Sequence, residues 1–254
     1  MLLTYDGSFE GLLTVIFECY DQKLKPDFIV KEQSYQPTMF DKTLRVASDL
    51  TKAQRVLTGL EKRISRQGIL RLFKFFHSEF SDVGFTIYEY VKLSFSSPVN
   101  IEKDYRQPSV LRIKKVVEMV NREIHRMHAF VRFQKTVDNI YASTIVPDFD
   151  VIPFIGDHFK ERYADQQWLI YDVKRDYGLH YDLKAMRIVS LENPEWSGKQ
   201  RVKPSALNEE ERYFQRMWKS YFDSTCIKER KNMKLHLQHL PRRYWHYLPE
   251  KFLS

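Results

Sequence analysis

The sequence predicts an α+β fold: an antiparallel sheet of about four strands in two hairpins, packed with several helices, and preceded by a smaller, mostly helical part with short strands. Three observations predict it. Apolar residues at helical spacing recur between residues 9 and 95 and again from 109. Alternating segments then come in pairs, Phe130–Lys135 with Ile140–Val146 and Trp168–Val173 with Leu179–Asp182. The aromatic content, 18 Phe, 15 Tyr and 4 Trp in 254 residues, is that of a chain with a large core to fill.

The chain opens as strand, turn and helix. Leu2–Tyr5 is short and apolar, Asp6-Gly7 signals a turn, and Ser8 is placed to cap a helix. Phe9, Leu12, Leu13, Ile16, Phe17 and Tyr20 form its apolar stripe. Phe28–Val30 and Leu44–Ala47 are short strand candidates. Asp49 is placed to cap a helix that buries Ala53, Val56, Leu57, Leu60 and Ile64, and helices over Gly68–Phe80 and Gly84–Phe95 follow. The polar, proline-flanked stretch from Ser96 to Pro108 divides a part over 1–104 from a module over 105–254, with one compact unit of both as the alternative.

Beyond it, a long helix from Ser109 to about Met127 turns Val110, Ile113, Val116, Val117, Val120, Ile124 and Met127 inward. Val137-Asp138-Asn139 and Tyr177-Gly178 turn the two hairpins. Asp148 or Asp150 is expected to cap the helix between them, which runs to about Ala164. Residues 192–205 read as a polar loop, and Leu207–Phe222 as a helix burying Phe214, Met217, Trp218, Tyr221 and Phe222. The tail from Ile227 to Leu248 reads as short helical turns rich in Arg, His and rings.

Composition excludes several classes. Two cysteines, Cys19 and Cys226, are too few for the three-cysteine cluster of a radical S-adenosylmethionine (SAM) enzyme, and no Cys/His quartet has zinc spacing. No metal or cofactor is expected on this chain. The N-terminus lacks the basic and apolar regions of a signal peptide, and no apolar run approaches the roughly 18 residues a membrane span needs. The expected location is the cytoplasm. P-loop, GxGxxG, GxSxG and HExxH patterns are absent.

The net charge of +8 is concentrated. Residues 109–135 and 226–254 each carry seven Lys/Arg against two Glu, which leaves the rest of the chain slightly acidic. That distribution suits a polyanion, or else an ordinary solvated face. Three constellations stand out. At the end of the long helix, Arg122, His125 and Arg126 share a face, with Arg132 nearby; they form a phosphate clamp, or a set of helix-terminal cations paired with Glu118 or Glu123. His158 and Arg162 share a helical face that Asp172 would have to meet to make an acid–base pair; a structural network is the other reading. In the tail, Arg230, Asn232, Arg242, Arg243, Tyr244 and Trp245 interleave cations with rings, as nucleic-acid binding or tail docking requires. Arg122, Arg126 and Arg132 are expected to converge on the side of Arg230 or Arg242.

Several stretches together resemble a bacterial family of DNA-metabolism proteins linked with DNA-modification or DNA-repair radical SAM proteins. They are Tyr5-Asp6-Gly7-Ser8-Phe9-Glu10-Gly11, Arg122-Glu123 with His125-Arg126-Met127, and Phe130-Val131-Arg132-Phe133. Pro153, His158-Phe159, Arg162-Tyr163, Asp165-Gln166, Trp168-Leu169-Ile170-Tyr171-Asp172, Glu229-Arg230 with Asn232, and Pro241-Arg242-Arg243-Tyr244-Trp245 continue the likeness. It covers essentially the whole chain, and from about residue 85 onward resembles a domain of unknown function also fused to uracil-DNA-glycosylase-like proteins. His128 departs from the pattern, standing where a small residue is expected. The resemblance implies a DNA-binding accessory protein that presents nucleic acid to a radical SAM partner, with the iron–sulfur cluster and SAM on that partner. The competing expectations are an enzyme acting on a damaged nucleotide through His125, His158, Asp172 or Tyr181, and an assembly protein whose basic surface meets an acidic patch.

Overall fold

A computed structural model describes residues 1–35, 43–192, 202, 204–225 and 232–252. Contacts divide the chain into two units, Met1–Asn121 and Arg122–Ser254.

The first unit holds β1 (Leu2–Tyr5), α1 (Phe9–Asp21), β2 (Phe28–Lys31), β3 (Thr43–Arg45), α2 (Leu50–Glu61), α3 (Arg66–Phe76), α4 (Val83–Ser96) and the first turns of α5 (Pro108–Phe130). Its short strands form a sheet of order β2-β1-β3, all parallel, with Leu3 opposite both Ile29 and Leu44. Parallel neighbours need a crossover, which α1 supplies between β1 and β2. Polar side chains start the helices as their positions predict. Ser8 accepts from the Gly11 N–H, and Asp49 from those of Thr51 and Lys52. The expected stripes are buried at Leu12, Leu13 and Ile16 on α1 and at Ala53, Val56 and Leu60 on α2, whereas Phe9, Phe17 and Leu57 are half-buried and Tyr20, at the end of the first stripe, is exposed. On α5, Val110, Ile113, Val116, Val117, Val120, Ile124 and Met127 are all buried.

The second unit contains β4 (Gln134–Lys135), β5 (Tyr141–Ile145), α6 (Ile152–Arg162), β6 (Trp168–Asp172), β7 (Tyr177–Tyr181) and β8 (Met186–Val189). After these come α7 (Glu209–Thr225), α8 (Met233–His239), a 3-10 segment over Arg242–Tyr247 and α9 (Pro249–Phe252). The sheet corrects the expected four antiparallel strands: it has five, in order β4-β5-β6-β7-β8, and β5 runs parallel to β6. The reason is α6, which lies between β5 and β6 in sequence and serves as a crossover, so these strands align rather than fold back. The first expected hairpin shrinks because α5 continues through Phe130, leaving Gln134–Lys135 alone to pair with β5.

Two further expectations are corrected. Neither Asp148 nor Asp150 caps α6; Val151 precedes it without a side-chain cap, and the Asp150 carboxylate receives the Tyr177 hydroxyl instead. Helix α7 does not bury its apolar face. Phe214, Met217, Trp218 and Tyr221 are 56%, 51%, 41% and 61% exposed, whereas Glu211 and Gln215 are buried. Glu211 accepts the Lys135 N–H and the Gln215 amide, so a polar seam holds this helix to its unit. Periodicity identifies the apolar face of a helix but not whether its own chain covers it. Most of the expected 192–205 loop lies outside the described residues. Among the described residues, no helix is long and apolar enough to cross a membrane.

Candidate nucleic-acid interface

The end of α5 is organised around a buried carboxylate. Helical spacing turns Arg122 and Arg126 to one face, with Arg122 and His125 exposed, and sends Glu123 inward, where it is 1% exposed. Glu123 accepts from the Arg243 guanidinium at 2.6 Å, the Tyr244 hydroxyl at 2.6 Å and the Asp148 N–H at 3.1 Å. Arg126 lies 3.7 Å away, and Arg243 also pairs with Asp148. Tyr244 is fully buried, packed against Phe130 and under the Arg243 guanidinium. Burial, and then its bond to Glu123, push its phenol far above the ordinary range. Its ring presents no free face, so it anchors the tail in place of the base stacking expected of it.

Arg242, next in the chain, is exposed with its guanidinium 6.0 Å from the centre of the half-buried Trp245 ring. Arg126 and Arg243 thus converge on Glu123, with Arg122 one turn away and Arg242 adjacent. Among the described residues, Glu123 and Asp148 are the carboxylates that pair with Arg126 and Arg243, and Arg122 and Arg242 have no ion-pair partner.

The other expected contacts lie in separate settings. Arg132 pairs with Glu250 at 3.0 Å, donates to the Ala129 carbonyl and lies over the Trp218 ring. Arg162 is exposed at the end of α6 beside Tyr163. Asn232 caps α8 by accepting the Leu235 N–H at 3.0 Å. Arg230 lies outside the described residues.

The four candidate acid–base residues are likewise dispersed. His125 is exposed on α5. His158 stacks on His128 with ring centres 4.1 Å apart and planes within 16°. Burial, then the neighbouring His158 and His125, depress His128 to about 4, and its Nε2 is buried without a hydrogen-bond partner. Asp172 is fully buried, paired with Arg175 at 2.6 Å and accepting the Lys174 N–H at 2.9 Å. Burial raises its carboxyl pKa, with Arg175 pulling the other way. Tyr181 faces the carbonyls of Ala164 and Leu183. The Asp172–His158 pairing is not formed: Asp172 closes the β6–β7 turn, while His158 faces another imidazole.

The Asp6-Gly7-Ser8 motif ties the first unit together. The Asp6 carboxylate accepts from the Ser8 N–H, the Ser8 hydroxyl and the Ser48 hydroxyl. Burial opposes ionisation of Asp6, but the bonds from Ser48 and Ser8 hold its pKa below the ordinary value. The loop after β1 is thereby fastened to the segment after β3. The sequence offered Glu123 as a partner for the helix-end arginines, but pointed to no such role for Asp6, Asp148 or Glu250. A buried carboxylate betrays itself only through partners distant in the chain. Among the described residues, no group of three or more His, Cys, Asp or Glu is placed to hold a metal ion.

Fold and site together define a mixed α/β protein whose second unit closes its arginine-rich helix end with its own C-terminal segment. The chain belongs to the DUF4130 family, described as a domain of unknown function, whose model matches residues 81–250. That start agrees with the expected one near residue 85. No curated protein matches the sequence.

Proposed function

We propose that this protein binds nucleic acid as an accessory factor in DNA repair or modification and presents it to a radical SAM partner that carries the cluster and SAM. The observation that supports binding is the end of α5, where Arg126 and Arg243 share Glu123, with the exposed Arg122 one helical turn from Arg126 and the exposed Arg242 next to Arg243 in the chain. Guanidiniums left over after internal pairing are free to engage phosphate oxygens. The partner is supported by the family resemblance and by the cysteine count, which is too small for a cluster on this chain. The contact set is Arg122, Arg126, Arg242 and Trp245, with Arg243 and Tyr244 holding the tail in place. Because the acid–base candidates occupy four separate environments, binding is better supported than catalysis.

The test is the double variant Arg122→Ala/Arg242→Ala. Both residues are exposed and have no ion-pair partner among the described residues. Fluorescence anisotropy with a labelled duplex and a labelled single strand is expected to show weakened binding at an unchanged melting temperature. Unchanged affinity for both probes would remove the assignment.

A further inference from the structure

Helix α7 is inverted relative to its unit. Its inward seam is polar: Glu211 and Gln215 are buried, and Trp218, at the edge between this seam and the exposed face, donates its indole N–H to Glu250 at 2.9 Å. Facing solvent are Tyr213, Phe214, Met217, Trp218 and Tyr221, between 41% and 61% exposed. Each of these side chains has roughly 150–250 Å² to bury, so about half of that across five residues gives a patch of about 500–600 Å². This is at the upper limit for a monomer's largest apolar patch and most of the ~800 Å² per partner of a stable interface.

The order of these residues identifies the occupant. Tyr213, Met217 and Tyr221 lie four apart and form one ridge that reads the same in both directions, beside a second ridge of Phe214 and Trp218. A two-fold axis through Met217 sets Tyr213 against Tyr221 of a second copy and Met217 against itself, with each ridge in the other's groove. Such a self-matching surface is what a two-fold interface requires. Charge argues against nucleic acid on this face. Arg212 falls on the opposite side of the helix, and Arg216, which flanks Tyr213, is offset in charge by the exposed Glu210 at the N-terminal end of the ridge. We infer that the exposed face of α7 is a homodimer interface, formed by antiparallel packing of two copies of this helix about Met217.

Sedimentation equilibrium of the full chain should return the dimer mass at micromolar concentrations. Met217→Glu places two like charges face to face on the axis and should weaken association about a hundredfold or more, with unchanged far-UV circular dichroism. Met217→Lys should behave the same way. Mixing the two variants should restore the dimer, which only a 217-to-217 contact allows. A monomer at about 100 μM would overturn the inference, as would a dimer indifferent to either substitution or a mixture that stays monomeric. A monomer that binds an oligonucleotide and loses that binding on Met217→Glu would give this face to nucleic acid instead. None of these outcomes depends on the arginine site around Glu123.

Discussion

Replacing Glu123 with Gln probes the hub that fixes the tail to the end of α5. Gln keeps the shape and one acceptor oxygen but removes the charge. Two short bonds, from Arg243 and Tyr244 at 2.6 Å each, change from charge-assisted to neutral. A bond to a charged group contributes about 1.5–3 kcal/mol and a neutral one about 0.5–1.5, so each loses roughly 1 kcal/mol. The Asp148 N–H at 3.1 Å and Arg126 at 3.7 Å add less. The expected cost is about 2–3 kcal/mol, a fall in melting temperature of roughly 5–10 °C for a chain of this size. Glu123→Ala leaves the buried Tyr244 hydroxyl without its acceptor and Arg243 with Asp148 alone, and should cost more, about 3–4 kcal/mol. Thermal and urea unfolding followed by circular dichroism measure both, and a double-mutant cycle with Arg243→Gln isolates the pair, with an expected coupling above ~1 kcal/mol. A loss below ~0.5 kcal/mol for Glu123→Gln would mean that the buried carboxylate does not hold the tail.

Other predictions follow from separate features. His128 is depressed to about 4 when folded, so its stability contribution is complete above the unfolded value near 6.5 and is lost as pH falls toward 4. Allowing for its partial solvent access, unfolding at pH 4.5 against pH 7.5 should show a loss of about 1–2 kcal/mol from this residue that His128→Asn abolishes. Gly178→Ala puts a methyl against the Ile170 carbonyl oxygen and the Tyr171 backbone and should destabilise by about 2–3 kcal/mol. Gly156→Ala, which meets the flexible ends of Leu179 and Met186, should cost about 1 kcal/mol. Glu250→Gln weakens the Arg132 pair and the Trp218 hydrogen bond at once; chemical denaturation should show a loss of about 1–2 kcal/mol and the tryptophan emission should shift.

What the sequence made legible was local. The α5 stripe from Val110 to Met127, the caps at Ser8 and Asp49 and the pairing of β6 with β7 follow from periodicity or cap chemistry within a few residues, but Tyr177-Gly178, the expected turn, lies within β7, and the chain turns over 173–176 instead. The parallel pairing of β5 with β6 did not, because two strands flanking a helix are compatible with either sense until the helix packs. At the site, the helix period was enough to group Arg122 with Arg126. The meeting of Arg126 with Arg243 through Glu123 spans 120 residues of chain, and no local pattern encodes it. The α7 rings show the opposite failure: the apolar face was identified correctly, but burial depends on what the rest of the chain brings to it.

The central claim is that phosphates engage the surplus guanidiniums at the end of α5. The measurement that tests it most directly is duplex-DNA affinity as a function of salt. Two to four phosphate contacts predict a log–log slope of about −1.8 to −3.6 for the wild type. Arg122→Ala/Arg242→Ala should make that slope shallower by about 1.8. A wild-type slope near zero, or a steep slope that the double variant leaves unchanged, would contradict the account.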